Sequence, residues 1–137
     1  MTHPVNQSTG SIKLPGQERP VSLKAIVRLQ GFGNYTWVFL SNQSKPMLVT
    51  LTLKWFEDQL PDFVRIHKSE MINPTFIQAV VFDNALQTTV CLMDTYKAKV
   101  SRRRLEQVVA KLNQHSTLFS KVSSSALPKS YLLPELV

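Results

Sequence analysis

The sequence has too little cysteine for a disulfide or thiolate scaffold, and no hydrophobic run long enough to span a membrane. Its one cysteine, Cys91, can form no internal disulfide and cannot build a multi-thiolate zinc site. The longest apolar runs, such as Ala79–Phe82, fall far short of the ~20 residues that a membrane helix needs. The stretch Met1–Ser11 is polar and has no apolar segment typical of a signal peptide. We therefore expect a soluble, cytoplasmic protein with no membrane partner.

Acidic residues are scarce relative to basic ones. The 137 residues include 16 Lys and Arg against 9 Asp and Glu, which gives a formal net charge of +7. Hydrophobic residues make up 43%, so the chain can build a core, and its length suits one domain with tails. The positive charge favours an anionic partner, and nucleic acid is the first candidate.

Proline, glycine and serine divide the sequence into a body and two ends. Residues 1–20 contain three prolines and two glycines and predict a flexible N-terminal arm, with one short strand near Ile12–Leu14. Residues 21–114 form the predicted domain. Residues 115–137 are rich in serine, have no clean hydrophobic period, and predict a C-terminal tail that is either mobile or docked on a partner.

The body has the pattern of a mainly β module. Runs rich in β-branched, aliphatic and aromatic residues alternate with turn signals. The predicted strands are Ala25–Gln30, Tyr35–Leu40, Met47–Thr50, Thr75–Phe82, Thr88–Met93 and Thr95–Val100. Gly31–Asn34 predicts a tight reversal in which two glycines supply positive φ, and Asp83–Ala85 predicts a later turn. We therefore expect short antiparallel sheets.

Two segments have helical periodicity. Thr52–Leu60 starts with a capping threonine, spaces its apolar residues along one face and stops before Pro61. Ser101–Asn113 starts with a natural N-cap at Ser101 and continues with an apolar stripe. The predicted fold class is mainly β: short antiparallel sheets with two short helices, a flexible N-terminal arm and a C-terminal tail.

The segment Lys97–Arg104 is the most strongly charged part of the sequence. Five of its eight residues are basic and none is acidic. On a strand, Lys97 and Lys99 point the same way, and the arginines that follow open a helix whose free N–H groups can also bind phosphate. Arginine matches phosphate oxygens and the O6/N7 edge of guanine. The segment is therefore a candidate nucleic-acid site; the alternatives are a solubilising patch or a membrane-surface contact.

Residues arranged for catalysis do not stand out. The sequence shows no Ser/His/Asp set and no paired carboxylates, so we expect a protein that is not an enzyme and uses no cofactor or metal. Gly31-Phe32-Gly33 is too short for a dinucleotide-binding fingerprint. Asn34 can bond adenine bidentately, although taken alone it is better interpreted as a turn residue. His67 has no catalytic neighbour in sequence and is interpreted as a packed residue.

Four marks, in order along the chain, resemble those of one known family. They are Gly33-Asn34-Tyr35 before a strand, Thr50–Lys54 leading into a helix that ends Gln59-Leu60-Pro61, Phe63–Ser69 followed by Ile72-Asn73, and Val100–Arg103 opening the last helix. Their order and spacing are similar to those of the LytTR-type DNA-binding domain of bacterial response regulators. The resemblance covers about Ser22 to Leu112.

The resemblance implies that loops, rather than a recognition helix, enter successive major grooves of double-stranded DNA. The implied DNA-binding residues are Asn34, Lys68 and Arg102 as base contacts, with Ser69, Ser101 and Arg103 as phosphate or supporting contacts. The resemblance also implies that His67 supports its loop rather than reading a base.

The sequence departs from the family's pattern in three ways. Lys68 stands where arginine is common, which reduces a bidentate contact to a point charge. The glycine that the family often has in its late hairpin is absent, and Met93–Lys97 occupies that place. No receiver domain precedes the module in this sequence, so we expect control through expression, the tail or a partner.

The predicted function is sequence-specific binding of double-stranded DNA by a bacterial transcription regulator related to two-component systems. Two copies, as a homodimer on a repeated site, would supply the specificity that one small domain cannot. The alternative is a protein-interaction module that has lost specific DNA binding, with an acidic partner on the basic segment and the C-terminal tail as the docking element. A weaker alternative is an RNA-binding β module.

Overall fold

The computed structural model describes residues 5–6, 10–82 and 87–114. Short strands joined by tight turns make up most of this part of the chain. The strands are β1 (Val5–Asn6), β2 (Ser11–Ile12), β3 (Val21–Ser22), β4 (Ile26–Phe32), β5 (Tyr35–Leu40), β6 (Met47–Val49), β7 (Val64–His67), β8 (Glu70–Ile72), β9 (Ile77–Phe82), β10 (Thr88–Leu92) and β11 (Lys97–Val100). The α-helices are α1 (Leu53–Gln59) and α2 (Leu105–Leu112), and 3-10 turns occupy Leu23–Ala25, Pro74–Phe76 and Arg102–Arg104. The prediction of a mainly β fold with antiparallel sheets and two short helices is confirmed.

The chain divides into two compact units. The first comprises the residues up to Phe63 together with Ser69–Asn73. The second comprises Val64–Lys68 and the residues from Pro74 onward. The consecutive strands β7 and β8 therefore belong to different units. The boundaries 21 and 114 assigned to the domain from sequence stay a prediction.

The first unit is built on an antiparallel sheet in which β6, β5, β4 and β8 follow in that order. Helix α1 supplies Leu53 and Phe56 to its buried core. The Thr52 hydroxyl accepts a hydrogen bond from the Trp55 N–H at 3.1 Å, which confirms the predicted cap. Leu60, at the end of the helix, is also buried, so the predicted apolar face is the one that packs.

Part of the predicted N-terminal arm is packed into this unit. Strand β2 pairs with both β1 and β3, and the side chains of Ile12 and Leu14 are buried in the same core as α1. The short strand predicted near Ile12–Leu14 is present as β2, and what the sequence did not indicate is that Ile12 and Leu14 are packed into a core. The physical reason is that burying an aliphatic side chain contributes about 1.5–3 kcal/mol, which offsets the cost of ordering a chain rich in proline and glycine. The residues 1–4 and 7–9 lie outside the described part of the chain.

The second unit contains an antiparallel sheet with β10 between β9 and β11. Helix α2 contacts β7 and buries Leu105, Val108 and Leu112, three members of the predicted stripe. The predicted turn at Asp83–Ala85 and the C-terminal tail, residues 115–137, lie outside the described residues. Within those that are described, no helix is long and apolar enough to cross a bilayer.

The start of the last helix differs from the prediction. The residues Arg102–Arg104 form a 3-10 turn, and the α-helix begins only at Leu105. Ser101 makes no side-chain cap hydrogen bond; its carbonyl instead accepts the Arg104 N–H at 3.0 Å. In a 3-10 turn each N–H donates a hydrogen bond to the carbonyl three residues earlier. Because the Ser101 carbonyl starts this turn, the chain enters α2 without a capping hydroxyl.

The hairpin between β10 and β11 holds a threonine in a left-handed backbone conformation. Thr95 has a φ of +73°, a region that β-branched residues rarely adopt. The Asp94 carboxylate accepts the Tyr96 N–H at 3.1 Å, and the Leu92 N–H donates to the Tyr96 carbonyl at 2.8 Å. The hydrogen bonds of this hairpin thus hold threonine in a conformation suited to glycine, in the segment from which the family's glycine is absent.

Candidate nucleic-acid interface

Asn34 lies at the tip of the β4–β5 hairpin, in a two-residue turn. Phe32 pairs with Tyr35 across the hairpin, and Gly33 and Asn34 join them. Gly33 has a φ of +60°, the conformation that the first position of a type II′ turn requires. Asn34 is exposed. The turn therefore presents the Asn34 side chain to solvent at a well-defined end of the first unit's sheet.

The two glycines of this segment have different roles. The sequence prediction of positive φ at both is wrong for Gly31, because only Gly33 has it. Gly31 lies within β4, where a Cβ atom would stand 3.2 Å from the Cβ of Leu53. The absence of a side chain at Gly31 therefore lets α1 approach β4 closely.

Ser69 lies beside the same hairpin in the first unit. Its carbonyl accepts a hydrogen bond from the Gly31 N–H at 2.8 Å, and its side chain is half-buried. The structure thus places Ser69 beside the hairpin that carries Asn34 at its tip.

Asn73 fastens the strand that follows Ser69. Its backbone N–H donates to the Val27 carbonyl at 3.0 Å, and its Nδ2 donates to the Ile26 carbonyl at 2.9 Å. Asn73 is only 6% exposed. The asparagine that closes the third sequence mark is therefore a structural residue of the unit that carries Asn34. The sequence marks do not indicate this role, and the position of Asn73 directly after a strand was the only signal for it.

In the second unit, Lys68 is presented by a braced turn. Lys68 is exposed directly after β7. The Arg65 guanidinium donates from Nε to the His67 carbonyl at 3.0 Å and from Nη2 to the Lys68 carbonyl. A planar cation with several donors can hold two carbonyls at once, which limits the freedom of the turn. A turn follows His67 at Lys68 and Ser69, and the bracing role of Arg65 was missed from sequence.

The predicted residues Ser101, Arg102 and Arg103 start beside the same strand. The Ser101 N–H donates to the Ile66 carbonyl at 2.8 Å, two residues before Lys68. Arg102 and Arg103 are exposed, and Ser101 is half-buried. Within the second unit, the structure therefore brings the arginine turn to the end of β7 from which Lys68 projects.

The basic segment Lys97–Arg104 has positive charge that the described part of the protein does not neutralise. Lys97 and Lys99 are both exposed and alternate with buried residues on β11, as predicted. None of the five basic side chains forms an ion pair with a described residue. Four of these cations are exposed and Arg104 is half-buried. Unpaired cations on one short segment favour contact with a polyanion.

Some basic residues elsewhere have structural partners. Lys54 pairs with Asp58 at 3.0 Å on the surface of α1. The buried Arg28 lies 3.6 Å from the centre of the Phe39 ring and 3.7 Å from the Glu70 carboxylate. The net charge of the chain therefore does not by itself locate an interface, because some of the cations are already engaged within the protein.

In the part of the chain that the structure describes, no group of three or more His, Cys, Asp or Glu side chains is placed to hold a metal ion.

Comparisons with known proteins support the family and the fold. Residues 17–113 match the family model of the LytTr DNA-binding domain. Among solved structures, the chain is similar to the LytTr DNA-binding domain of a protein from Bacillus cereus described as a methyl-accepting/DNA response regulator. The TM-score is 0.62 at 21% identity, over 74% of this chain and 94% of that chain. At this identity the likeness shows a shared fold. No curated protein matches the sequence significantly.

Proposed function

Because the chain belongs to the LytTr DNA-binding domain family, we propose that it is a non-enzymatic transcription regulator that reads specific sequences of double-stranded DNA. The reading takes place in the major groove, through loops rather than a recognition helix. The observation that carries the proposal is the row of exposed, unneutralised cations that ends in Arg102 and Arg103 beside the braced turn of Lys68.

The second unit supplies the electrostatic part of binding. Arg102 is proposed to read guanine, because its planar fork fits the O6/N7 edge. Lys68 adds a point charge where a bidentate contact is not available. Ser101 and Arg103 contact phosphate, and Lys97 and Lys99 extend the positive surface. These contacts make affinity depend strongly on salt.

The first unit supplies a second reading position. Asn34 is proposed to bond adenine through its side-chain amide. When the side chain faces the base edge, the amide can donate a hydrogen bond to N7 and accept one from N6. Ser69 supports the adjacent backbone or contacts phosphate. The exposed Asn34 side chain and the hydrogen bond from Gly31 to Ser69 support these assignments.

The proposed setting is transcription control in a bacterial cytoplasm, in connection with two-component signalling. The description of the Bacillus cereus neighbour as a response regulator supports this setting. One small domain reads a short half-site, so we propose that two copies bind as a homodimer to a repeated site one helical turn apart.

The first experiment is recovery of sheared genomic DNA on the purified protein at near-physiological salt, followed by sequencing of the retained fragments. Enrichment of a short motif, repeated at about one helical turn, is the expected result. Retention of DNA fragments without a shared motif would show that the protein binds only the phosphate backbone. No retention would overturn the proposal and favour the protein-interaction alternative.

The second experiment separates reading from charge. Arg102→Ala should weaken binding to the motif by about 1–3 kcal/mol and relax preference at one position. The matched control is Arg19→Ala, which removes an exposed arginine outside the candidate interface. Equal losses on motif and random duplexes in Arg102→Ala would leave that residue a phosphate contact only. Asn34→Ala should relax a different position, more weakly, and an unchanged preference would remove Asn34 from the interface.

A further inference from the structure

Two large side chains at the hairpin tip face solvent instead of packing. Phe32 is 73% exposed and Tyr35 is 44% exposed. They form the cross-strand pair that closes the turn carrying Asn34. An exposed aromatic ring has an apolar surface available for a ligand, and here it adjoins a proposed base-reading residue.

The direction of Phe32 follows from its neighbour. Gly31 faces the side chain of Leu53 in α1, and successive residues of a strand point to opposite sides. Phe32 therefore projects from the side of the hairpin that α1 does not cover. The type II′ turn at Gly33 keeps this position well defined.

The hairpin itself carries no acidic residue that would oppose its approach to DNA, and Glu70 on the neighbouring strand lies 3.7 Å from the Arg28 guanidinium. No Asp or Glu occurs in the sequence between Glu18 and Glu57, so this long stretch contains no anion to repel phosphate. The stretch includes the whole β4–β5 hairpin. An apolar side chain delivered into the major groove by a hairpin without acidic residues has one specific partner among the base edges, the C5-methyl group of thymine.

We propose that Phe32 contacts the C5-methyl group of a thymine adjacent to the base bonded by Asn34, with Tyr35 flanking it. The inference rests on the proposed function and deepens it, because it adds a specificity-determining residue and names the chemical group recognised. The β4–β5 hairpin then reads two neighbouring base pairs, one by hydrogen bonds and one by apolar contact.

The test deletes the methyl group and the phenyl ring separately and together. Duplexes bearing the enriched motif are prepared with each thymine replaced in turn by deoxyuridine. For the wild-type protein, one replacement should weaken binding by about fourfold, the ratio expected for one methyl group removed from an apolar contact. In Phe32→Ala, that same replacement should have no further effect, whereas Phe32→Leu should keep part of the sensitivity.

The controls keep the outcomes distinct. Leu48→Ala removes another exposed apolar side chain, 48% exposed on β6, and should leave the deoxyuridine profile unchanged. Thermal unfolding checks that Phe32→Ala remains folded. Failure of the wild-type protein to bind any motif would overturn the proposed function itself. Two results would overturn this inference alone. One is normal motif binding with equal deoxyuridine sensitivity in wild type and Phe32→Ala. The other is an equal loss of affinity for every DNA sequence in Phe32→Ala.

Discussion

Replacing Thr95 with glycine should stabilise the protein. Thr95 has a φ of +73° and an exposed side chain. The left-handed conformation costs about 1–2 kcal/mol for a residue with a Cβ atom. Glycine removes that cost, but it also gives the unfolded chain more conformational freedom. This entropy offsets about 0.5–1 kcal/mol of the gain. The expected net gain in the free energy of unfolding is about 0.5–1 kcal/mol.

Urea and thermal denaturation measure this gain directly. For a chain of this size, the Tm of Thr95→Gly should rise by about 2–5 °C, with the urea m-value unchanged. Thr95→Asn should lie between wild type and Thr95→Gly, because asparagine tolerates the left-handed region better than threonine does.

Thr50→Gly is the matched control. Thr50 is exposed but is not in the left-handed region, so its replacement brings only the entropic cost and should lower stability by about 0.5–1 kcal/mol. If Thr95→Gly and Thr50→Gly lose the same stability, the reasoning that the hairpin holds a strained threonine is refuted.

Three further predictions test single contacts. Asn73→Ala should lower the free energy of unfolding by about 1–3 kcal/mol, because the Ile26 carbonyl loses its buried donor; an unchanged urea midpoint would contradict this. Gly31→Ala should cost about 1–3 kcal/mol through overpacking against the Leu53 Cβ atom, and the Gly31→Ala/Leu53→Gly double variant, which removes that Cβ, should lose less than the sum of the singles. Arg65→Met should weaken binding to the motif about fivefold by loosening the turn that presents Lys68, with little change in Tm; a loss confined to Tm would assign Arg65 to stability alone.

Local pattern was sufficient for most of the elements. The strand Tyr35–Leu40 was predicted with the bounds it has, and α1 has the predicted cap and buried face. These features depend on residues within one strand or one helical turn of each other, so alternation, periodicity and a capping hydroxyl carry the information. The family resemblance, confirmed by the match over residues 17–113, also depended on short marks in order.

Other features depend on partners far apart in sequence. Asn73 bonds a carbonyl 47 positions away, and Gly31 is needed because of Leu53 in a helix. Ile12 lies in a segment whose composition predicts a loose arm, yet core contacts bury it. No short stretch of sequence contains both members of such pairs. Local sequence patterns therefore predicted these residues wrongly or gave no prediction for them.

Composition and spacing alone establish a basic, mainly β chain with the ordered marks of a DNA-binding family. They also single out Lys97–Arg104, since charge is a property of residue type and survives any arrangement of the chain. Pairing of the cations is a different matter, because it depends on distances. Arg28 and Lys54 have carboxylate partners, Arg65 braces carbonyls, and Arg102 starts a turn beside β7 with no ion-pair partner in the described chain. Tertiary contacts thus determine which positive charges are already used within the protein and which are left for a polyanion.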